Sequence, residues 1–141
     1  MACYQIAIVA RLLDRAISGR LAELGATPGQ LATLLALFDT DERTQTALAK
    51  ATGVEQPTMA VNVRRMERDG LIERRADPKD GRKAVILLTG KARAIEEPIR
   101  GVRRDIDAQA LDGISEADRQ RLRQMLATII NNLRERSTNE E

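Results

Sequence analysis

Between Gln56 and Lys83 the sequence places side chains whose chemistry suits contact with a nucleic acid. Glutamine and asparagine can form paired hydrogen bonds with adenine, and arginine can do so with guanine. Any cationic side chain can contact a phosphate. The candidate binding residues are Gln56, Pro57, Thr58, Asn62, Arg64, Arg65, Arg68, Asp77, Lys79, Arg82 and Lys83.

The first of these residues require a helix to position them. The segment that starts at Gln56 predicts one, because apolar residues recur at i, i+4 and i+7 from Met59 and Pro57 suits a first turn. A shorter helix, which Thr44 can cap, precedes it and ends at a turn containing Gly53. Two short helices joined in this way are typical of a helix-turn-helix.

In a helix-turn-helix, the start of the second helix lies in the major groove of DNA. The side chains expected to reach base edges are Gln56, Thr58, Val61, Asn62 and Arg65. Val61 would touch a thymine methyl group, whereas Arg64 and Arg68 suit phosphates. The alternative is that Gln56 and Thr58 only begin a helix and that the arginines are solvated.

A basic hairpin is predicted directly after this helix. Residues 71–76 and 83–88 have the composition of strands, and the loop between them contains proline, aspartate and glycine. Two such strands form a wing beside the helix-turn-helix. Its marginal stability alone requires apolar residues of the strands to pack against the helices.

The tip of the wing carries the cations that would contact DNA. Arg82 is the candidate for a minor groove, where the negative potential of narrow A·T-rich tracts attracts arginine. Asp77 is expected to pair with Arg82 and orient it, and Lys79 and Lys83 to contact phosphates. The alternative is an ordinary turn on a surface hairpin.

Composition narrows the classes of function. The 141 residues are enough for one domain, and with Tyr4 and Phe38 as the only aromatic residues an aliphatic core of packed helices is favoured. The single cysteine, Cys3, excludes an internal disulfide framework. The absence of histidine removes the commonest metal ligand and general base, so neither an enzyme nor a metal or cofactor site is expected. No apolar run predicts a membrane span or a signal peptide, which favours a cytoplasmic protein.

Charge is concentrated where the binding residues lie. The net charge is only +2, but basic residues outnumber acidic ones by eight to five between Arg64 and Lys83. A local surplus of this kind is what a phosphate-contacting surface requires.

Long amphipathic helices flank this region on both sides. Apolar residues recur at helical spacing from Ile6 to Leu24, from Ile95 to Ile106 and from Leu122 to Leu133. Pro98 lies within the second of these stretches and should bend the helix or break one hydrogen bond. We expect these stripes to meet a second copy of the chain across a two-fold axis. The predicted fold is therefore mainly α, a winged helix-turn-helix over residues 28–89 with six helices and a two-stranded wing, and residues 1–27 and 90–141 form the dimerisation helices.

The sequence resembles the MarR family of winged helix-turn-helix regulators. The resemblance extends from Ile6 to Leu133 and is carried by three motifs, which are Gln56-Pro57-Thr58, the run from Glu67 to Arg74, and the wing from Asp77 to Arg82 followed by Leu88-Thr89. The wing signature of the family is an aspartate, an arginine two residues later and a second arginine three residues beyond. Here Asp77 and Arg82 match, and Lys79 replaces the first arginine.

The resemblance implies a homodimer that reads a near-palindromic site in double-stranded DNA, one half-site per winged domain. Many members of this family are repressors released by a small-molecule effector. Glu55 stands where the family often has a capping serine, and Val61 where it often has a base-contacting arginine. Both departures affect which bases would be read.

Two alternative functions remain open at this stage. Glu55 and Val61 are compatible with an adaptor that kept the winged fold and binds proteins instead of DNA. Some relatives sense organic hydroperoxides through a cysteine early in the first helix. The spacing from Cys3 to Leu24-Gly25 and Thr27 resembles theirs. Ala7 and Ile17 occupy the positions where such sensors would have partner tyrosines.

Overall fold

The computed structural model describes residues 1–138, and within them the chain forms seven helices and three short strands. The helices are α1 (Ala2–Glu23), α2 (Pro28–Asp39), α3 (Gln45–Thr52), α4 (Gln56–Arg68), α5 (Gly90–Ala94), α6 (Glu96–Ala110) and α7 (Glu116–Thr138). The strands are β1 (Arg43–Thr44), β2 (Ile72–Ala76) and β3 (Ala84–Leu88). The mainly α winged helix-turn-helix expected from the sequence is confirmed.

Local capping residues explain where several helices begin. The hydroxyl oxygens of Thr44, Thr89 and Ser115 accept hydrogen bonds from backbone N–H groups three residues later, at 3.1, 3.2 and 3.1 Å. At the start of α2, the side chain of Gln30 accepts from the backbone N–H of Thr27 at 3.1 Å. Each contact satisfies a donor that the first turn of a helix leaves without an intrahelical partner.

The wing belongs to a three-stranded antiparallel sheet in the order β1-β3-β2. In the wing itself, Ile72 lies opposite Leu88 and Ala76 lies opposite Ala84. The two predicted wing strands are therefore present, with β1 as an addition that the sequence did not indicate. β1 consists of only two residues, which pair with β3, and a segment this short has neither the length nor the composition that would indicate a strand.

The expected single helix after the wing is two helices, which raises the number from six to seven. α5 ends at Ala94, and Ile95 adopts a non-helical conformation before α6 begins. Pro98 then lies in the first turn of α6, where its missing N–H removes no intrahelical hydrogen bond. The break thus comes three residues before Pro98, which was expected to bend a continuous helix or to break one hydrogen bond.

The chain divides into two compact units, residues 1–106 and the residues from Asp107 onward. The aliphatic core of the first unit is continuous and includes Leu21, Leu34, Met59 and Ile99, all fully buried. In the second unit, Arg119 of α7 donates to the backbone oxygens of Ile114 and Leu111 at 2.9 and 2.8 Å and holds the preceding turn. The dimerisation region predicted from the sequence extends to residue 141, and residues 139–141 lie outside the described part of the chain.

Within residues 1–138, no single helix is both long and apolar enough to cross a bilayer. By those two properties alone, α1 and α2 would qualify only as a pair with a 74° bend between them.

Candidate nucleic-acid interface

Helix α4 presents most of the predicted binding residues on its outer face. Met59, Val63 and Met66 are fully buried, so this side of the helix packs on the core. The predicted binding residues of α4 that are exposed are Gln56, Pro57, Thr58, Arg64, Arg65 and Arg68. The spacing of the buried residues therefore leaves this set on the side that faces solvent.

Val61 lies near the centre of the exposed face. It is 36% exposed, and at about 100° per residue it lies about 160° round the helix from Met59. Pro57 and Arg65, one turn before and after it, and Arg68 share its face. An apolar side chain surrounded by hydrogen-bonding and cationic groups is suited to contact with a thymine methyl group.

Asn62 differs from the other predicted binding residues of α4. Its side chain is half-buried, and its amide nitrogen donates to the hydroxyl oxygen of Thr33 on α2 at 3.0 Å. Thr33 is itself 1% exposed. The structure thus ties Asn62 to the neighbouring helix, whereas the sequence suggested only a polar residue available to a base.

The cations of the interface differ in their availability. Within residues 1–138, neither Arg64 nor Arg65 forms an ion pair, and the same is true of Lys79, Arg82 and Lys83 at the wing. Arg68 instead lies 3.1 Å from Asp69. A cation without a carboxylate partner can contact a phosphate without first losing an ion pair.

One of the ion pairs that do form here links two elements, and another lies within one strand. Arg74 of β2 lies 3.4 Å from Glu67 of α4, so a salt bridge joins α4, the recognition helix expected to lie in the major groove, to the wing. Arg75 lies 2.9 Å from Glu73 on the same strand. All four side chains are at least one-third exposed, so each pair contributes little to stability.

Asp69, which ends α4, is held by donors from three elements. Its carboxylate accepts from the Arg68 guanidinium at 3.1 Å and from the Gln30 amide at 2.8 Å. These hydrogen bonds, Arg68 first and then Gln30, lower the pKa of Asp69 below the ordinary aspartate value. Its backbone oxygen accepts from the Lys91 ammonium at 2.7 Å, so the end of the recognition helix also contacts α5.

Two aspartates shape the tip of the wing through the backbone. The carboxylate of Asp77 accepts from the N–H of Lys79 at 2.9 Å, and that of Asp80 accepts from the N–H of Arg82 at 3.1 Å. Backbone bonds from Asp77 to Lys83 at 2.8 Å and from Lys83 to Asp80 at 3.0 Å close the loop. The predicted ion pair between Asp77 and Arg82 is not formed in the described chain, because Asp77 is engaged by the loop backbone.

The base of the wing is fastened by Asp41, in the loop between α2 and β1. One of its oxygens accepts from the backbone N–H groups of Leu88 and Glu42 at 3.0 and 2.9 Å, and the other accepts from the Arg93 guanidinium. Asp41 thereby links the end of β3 to α5. Sequence reasoning missed the roles of Asp41, Asp80 and Thr33 and the contact of Gln30 with Asp69. Two of these residues have a local signal. Asp80 lies two residues before the N–H that it binds, and Gln30 has capping-box spacing from Thr27, which predicts its contact with Thr27 but not the one with Asp69.

Residues 1–138 contain no cluster of three or more histidine, cysteine or carboxylate side chains placed to hold a metal ion. Cys3 is exposed near the start of α1.

Comparison with known proteins agrees with this geometry. The family model described as the MarR family matches residues 24–83, which contain α2 to α4 and most of the wing. A probable transcriptional regulator from Pseudomonas aeruginosa is 31% identical, over 92% of this chain and 99% of its own, with a TM-score of 0.73. The chain belongs to the MarR family.

Two further solved structures extend the MarR-family comparison over the terminal helices. The transcriptional regulator SlyA is 26% identical, with a TM-score of 0.89 over 95% of this chain and 94% of its own. The transcriptional repressor CouR, bound to a 23-mer DNA duplex, is 25% identical, with a TM-score of 0.83 over 92% of each chain. This MarR-family chain therefore has the fold of transcriptional regulators over nearly its whole length.

Proposed function

We propose that this MarR-family chain is a dimeric, sequence-specific DNA-binding repressor released by a small-molecule effector. The observation that carries DNA binding is the exposed set of unpaired cations on α4 and the wing, which belong to the same compact unit. Their exposure and their lack of carboxylate partners in residues 1–138 suit a polyanion. The repressor CouR, of similar fold, was solved with a DNA duplex.

The proposed contacts divide between bases and backbone. Gln56, Thr58 and Arg65 would face base edges in the major groove, and Val61 a thymine methyl group. Arg64, Arg68, Lys79 and Lys83 would contact phosphates. Arg82, whose backbone Asp80 holds at the tip of the wing, would enter the adjacent minor groove.

Dimerisation is proposed from the apolar side chains that α1 and α7 each expose. On α1, Val9 and Leu12 are about half exposed, and Tyr4 is 64% exposed; on α7, Met125 and Ile130 are likewise exposed. Single exposed apolar residues are ordinary, but several on one long helix indicate a surface that a partner covers. We accordingly assign residues 1–27 and 90–141 to dimerisation and 28–89 to DNA binding.

Two-fold symmetry would place one winged unit on each half of a near-palindromic operator. Repression follows if that operator overlaps a promoter, and an effector would release the repressor by binding better to a conformation that does not fit DNA. We expect a cytoplasmic protein, because a regulator of this kind must share a compartment with its DNA.

The test is selection of bound duplexes from random DNA, followed by affinity measurements at several salt concentrations. We expect an enriched near-palindrome and an affinity that falls steeply with salt. Replacing Arg64 and Arg65 together by alanine should weaken binding, whereas Arg103→Ala, an exposed arginine of α6, should not. A chain that binds no duplex at low salt would contradict DNA recognition and favour the adaptor function that Glu55 suggests.

Dimerisation is tested separately by sedimentation. Leu12→Glu places a charge in the exposed apolar surface of α1 and should convert dimers to monomers with weaker operator binding. Ser18→Glu, at an exposed polar position about 120° round the same helix from Leu12, should leave the dimer intact. A dimer that persists in the Leu12→Glu chain would place the interface elsewhere.

A further inference from the structure

Two polar side chains are buried in the described chain, and both lie on α2. Gln30 is 4% exposed and Thr33 is 1% exposed, and they are separated by one turn of the helix. Burying a polar group costs free energy unless it is hydrogen-bonded. Both residues find their long-range partners on or at the end of the recognition helix α4.

The hydroxyl of Thr33 both accepts a hydrogen bond from α4 and donates one to it. The oxygen accepts from the Asn62 amide at 3.0 Å, and the hydroxyl hydrogen points to the sulfur of Met59 at 3.9 Å. A hydroxyl has one hydrogen, so the direction of the two contacts is fixed. Asn62 is therefore the donor to Thr33.

The position of Asn62 on the helix agrees with a role facing α2. At about 100° per residue, Asn62 lies about 60° round α4 from the buried Met59. Val61 lies about 160° from Met59, on the outer face. An asparagine that reads adenine presents its amide nitrogen and oxygen together to an exposed base edge, whereas here the nitrogen is held against a buried hydroxyl.

Gln30 supplies a second point of attachment near the end of α4. Its amide nitrogen donates to the Asp69 carboxylate at 2.8 Å, while its oxygen accepts from the backbone N–H of Thr27 at 3.1 Å. The same side chain thus caps α2 and holds the end of α4. Two attachments about two turns apart along α4 restrain both its rotation and its sliding along α2.

We propose that Thr33 and Gln30 set the rotational position of the recognition helix, and that Asn62 is a positioning residue for DNA binding, not a base reader. This inference rests on the DNA-binding function proposed above. A rotation of about 10° moves a side-chain tip about 6 Å from the helix axis by about 1 Å, which is enough to misalign a paired hydrogen bond to a base. Apolar packing is not directional and specifies the rotation of α4 poorly. The buried hydrogen bonds are directional and therefore fix that rotation.

The test is a double-mutant cycle read out as operator affinity and as base preference across an operator library. Thr33→Val removes the hydroxyl at nearly constant volume, and Asn62→Ala removes its donor. If Asn62 acts through Thr33, each single change should weaken binding by about three- to tenfold, and the double variant no more than either single variant. Because the base-reading side chains would be displaced together, discrimination should weaken at every contacted position, but the preferred base at each position should not change.

Matched variants keep the result interpretable. Thr33→Ser retains the hydroxyl, so its affinity should equal that of the wild-type chain. Thr58→Ala lies on the exposed face and should change affinity and base preference equally whether position 33 is threonine or valine. Unfolding in urea identifies a variant that does not fold. If Thr33→Val is such a variant, the base preferences of Asn62→Ala and Asn62→Gln in the wild-type background decide the question.

The outcomes separate this inference from the function on which it rests. An altered base preference for Asn62→Ala, or an undiminished effect of that change in the Thr33→Val chain, would show that Asn62 reads DNA and would overturn the inference alone. A wild-type chain that selects no DNA sequence would overturn the proposed function and this inference with it.

Discussion

The side-chain amide of Gln30 donates to the carboxylate of Asp69 at 2.8 Å and joins the start of α2 to the end of the recognition helix. The two residues are 39 positions apart in the chain. Arg68, next in sequence, donates to the other carboxylate oxygen at 3.1 Å. The ionised form of Asp69 is therefore the form that holds these elements together.

Asp69 should make the stability of the fold depend on pH. Because hydrogen bonds from Arg68 and Gln30 lower its pKa in the folded chain, Asp69 stabilises the fold above the unfolded value of about 3.9. That contribution is lost as the pH falls through the lowered folded pKa. Asp69→Asn should reduce the free energy of unfolding at pH 7 by about 0.5–1.5 kcal/mol, measured by urea denaturation.

The prediction is tested by the difference in the free energy of unfolding between the wild-type and Asp69→Asn chains. This difference should shrink as the pH falls below about 4, because Asp69 of the unfolded chain then takes up a proton, and its charge-dependent part should be lost once the pH passes below the lowered pKa of the folded chain. Asp105→Asn is a suitable control, since Asp105 is a more exposed carboxylate whose partner Arg20 lies on α1. An equal loss of stability for Asp69→Asn at pH 7 and at pH 3 would contradict the role assigned to its charge.

Asp41 should be important for the attachment of the wing. Asp41→Ala removes the acceptor of the backbone N–H of Leu88 and the partner of Arg93. Because the Asp41 side chain is only 20% exposed, we expect a loss of about 1–3 kcal/mol in the free energy of unfolding. Urea denaturation measures this loss, and operator affinity should fall as the wing loses its fixed orientation.

Two further variants separate the contacts of Asp41. Asp41→Asn keeps an oxygen for the Leu88 N–H but loses the charge, so it should cost less than Asp41→Ala. Asp39→Ala, at a side chain that is 83% exposed and 3.5 Å from Arg43, should be nearly neutral. Equal effects of the alanine changes at positions 39 and 41 would show that Asp41 does not fasten the wing.

Local chemistry made most of the fold predictable. Thr44 and Thr89 cap helices because a hydroxyl acceptor three residues before a free N–H is a signal contained in one turn. Residues 71–76 and 83–88 were expected to be strands, and β2 and β3 begin one residue later, at Ile72 and Ala84. The helix break at Ile95 was not foreseen, because the apolar spacing continues across it.

Long-range polar contacts had no signal in the sequence. Asn62 and Thr33 are 29 positions apart, and Asp41 and Leu88 are 47 apart. An asparagine on a helix has the same identity whether its amide faces solvent or a neighbouring helix, and only packing decides between them. The composition could therefore indicate a nucleic-acid interface but not which of its polar residues are structural.

A better capping residue in place of Glu55 should stabilise the recognition helix. It is the N-cap of α4, and its side chain makes no capping hydrogen bond. Pro57 has no N–H, which leaves the N–H of Thr58 as the donor that a shorter side chain can reach. Glu55→Asp should raise the free energy of unfolding by about 0.5–1 kcal/mol, measured by urea denaturation.

The charge at position 55 should act on DNA independently of capping. Glu55→Ser adds a cap and removes a negative charge beside the proposed DNA surface, so operator affinity should rise; Glu55→Asp keeps the charge and should leave affinity unchanged. Glu55→Gln removes the charge without a strong cap and should raise affinity alone. Identical affinities for all four chains would show that position 55 lies away from the DNA.

Arg82 should contribute to DNA affinity through the minor groove. The loop holds its backbone at the wing tip, and its guanidinium forms no ion pair within residues 1–138. Arg82→Ala should therefore weaken operator binding, most for operators with A·T-rich flanks, where a narrow minor groove attracts arginine. The slope of log affinity against log salt should fall by about 0.9 if one phosphate contact is lost with it.

Arg82→Lys and Arg103→Ala complete this experiment. Lysine keeps the charge but not the planar guanidinium, so Arg82→Lys should recover most of the salt dependence and little of the preference for A·T-rich flanks. Arg103→Ala removes an exposed cation of α6 and should change neither quantity. If Arg82→Ala weakened binding equally at G·C-rich and A·T-rich flanks, Arg82 would be a phosphate contact, and the minor-groove role would be wrong.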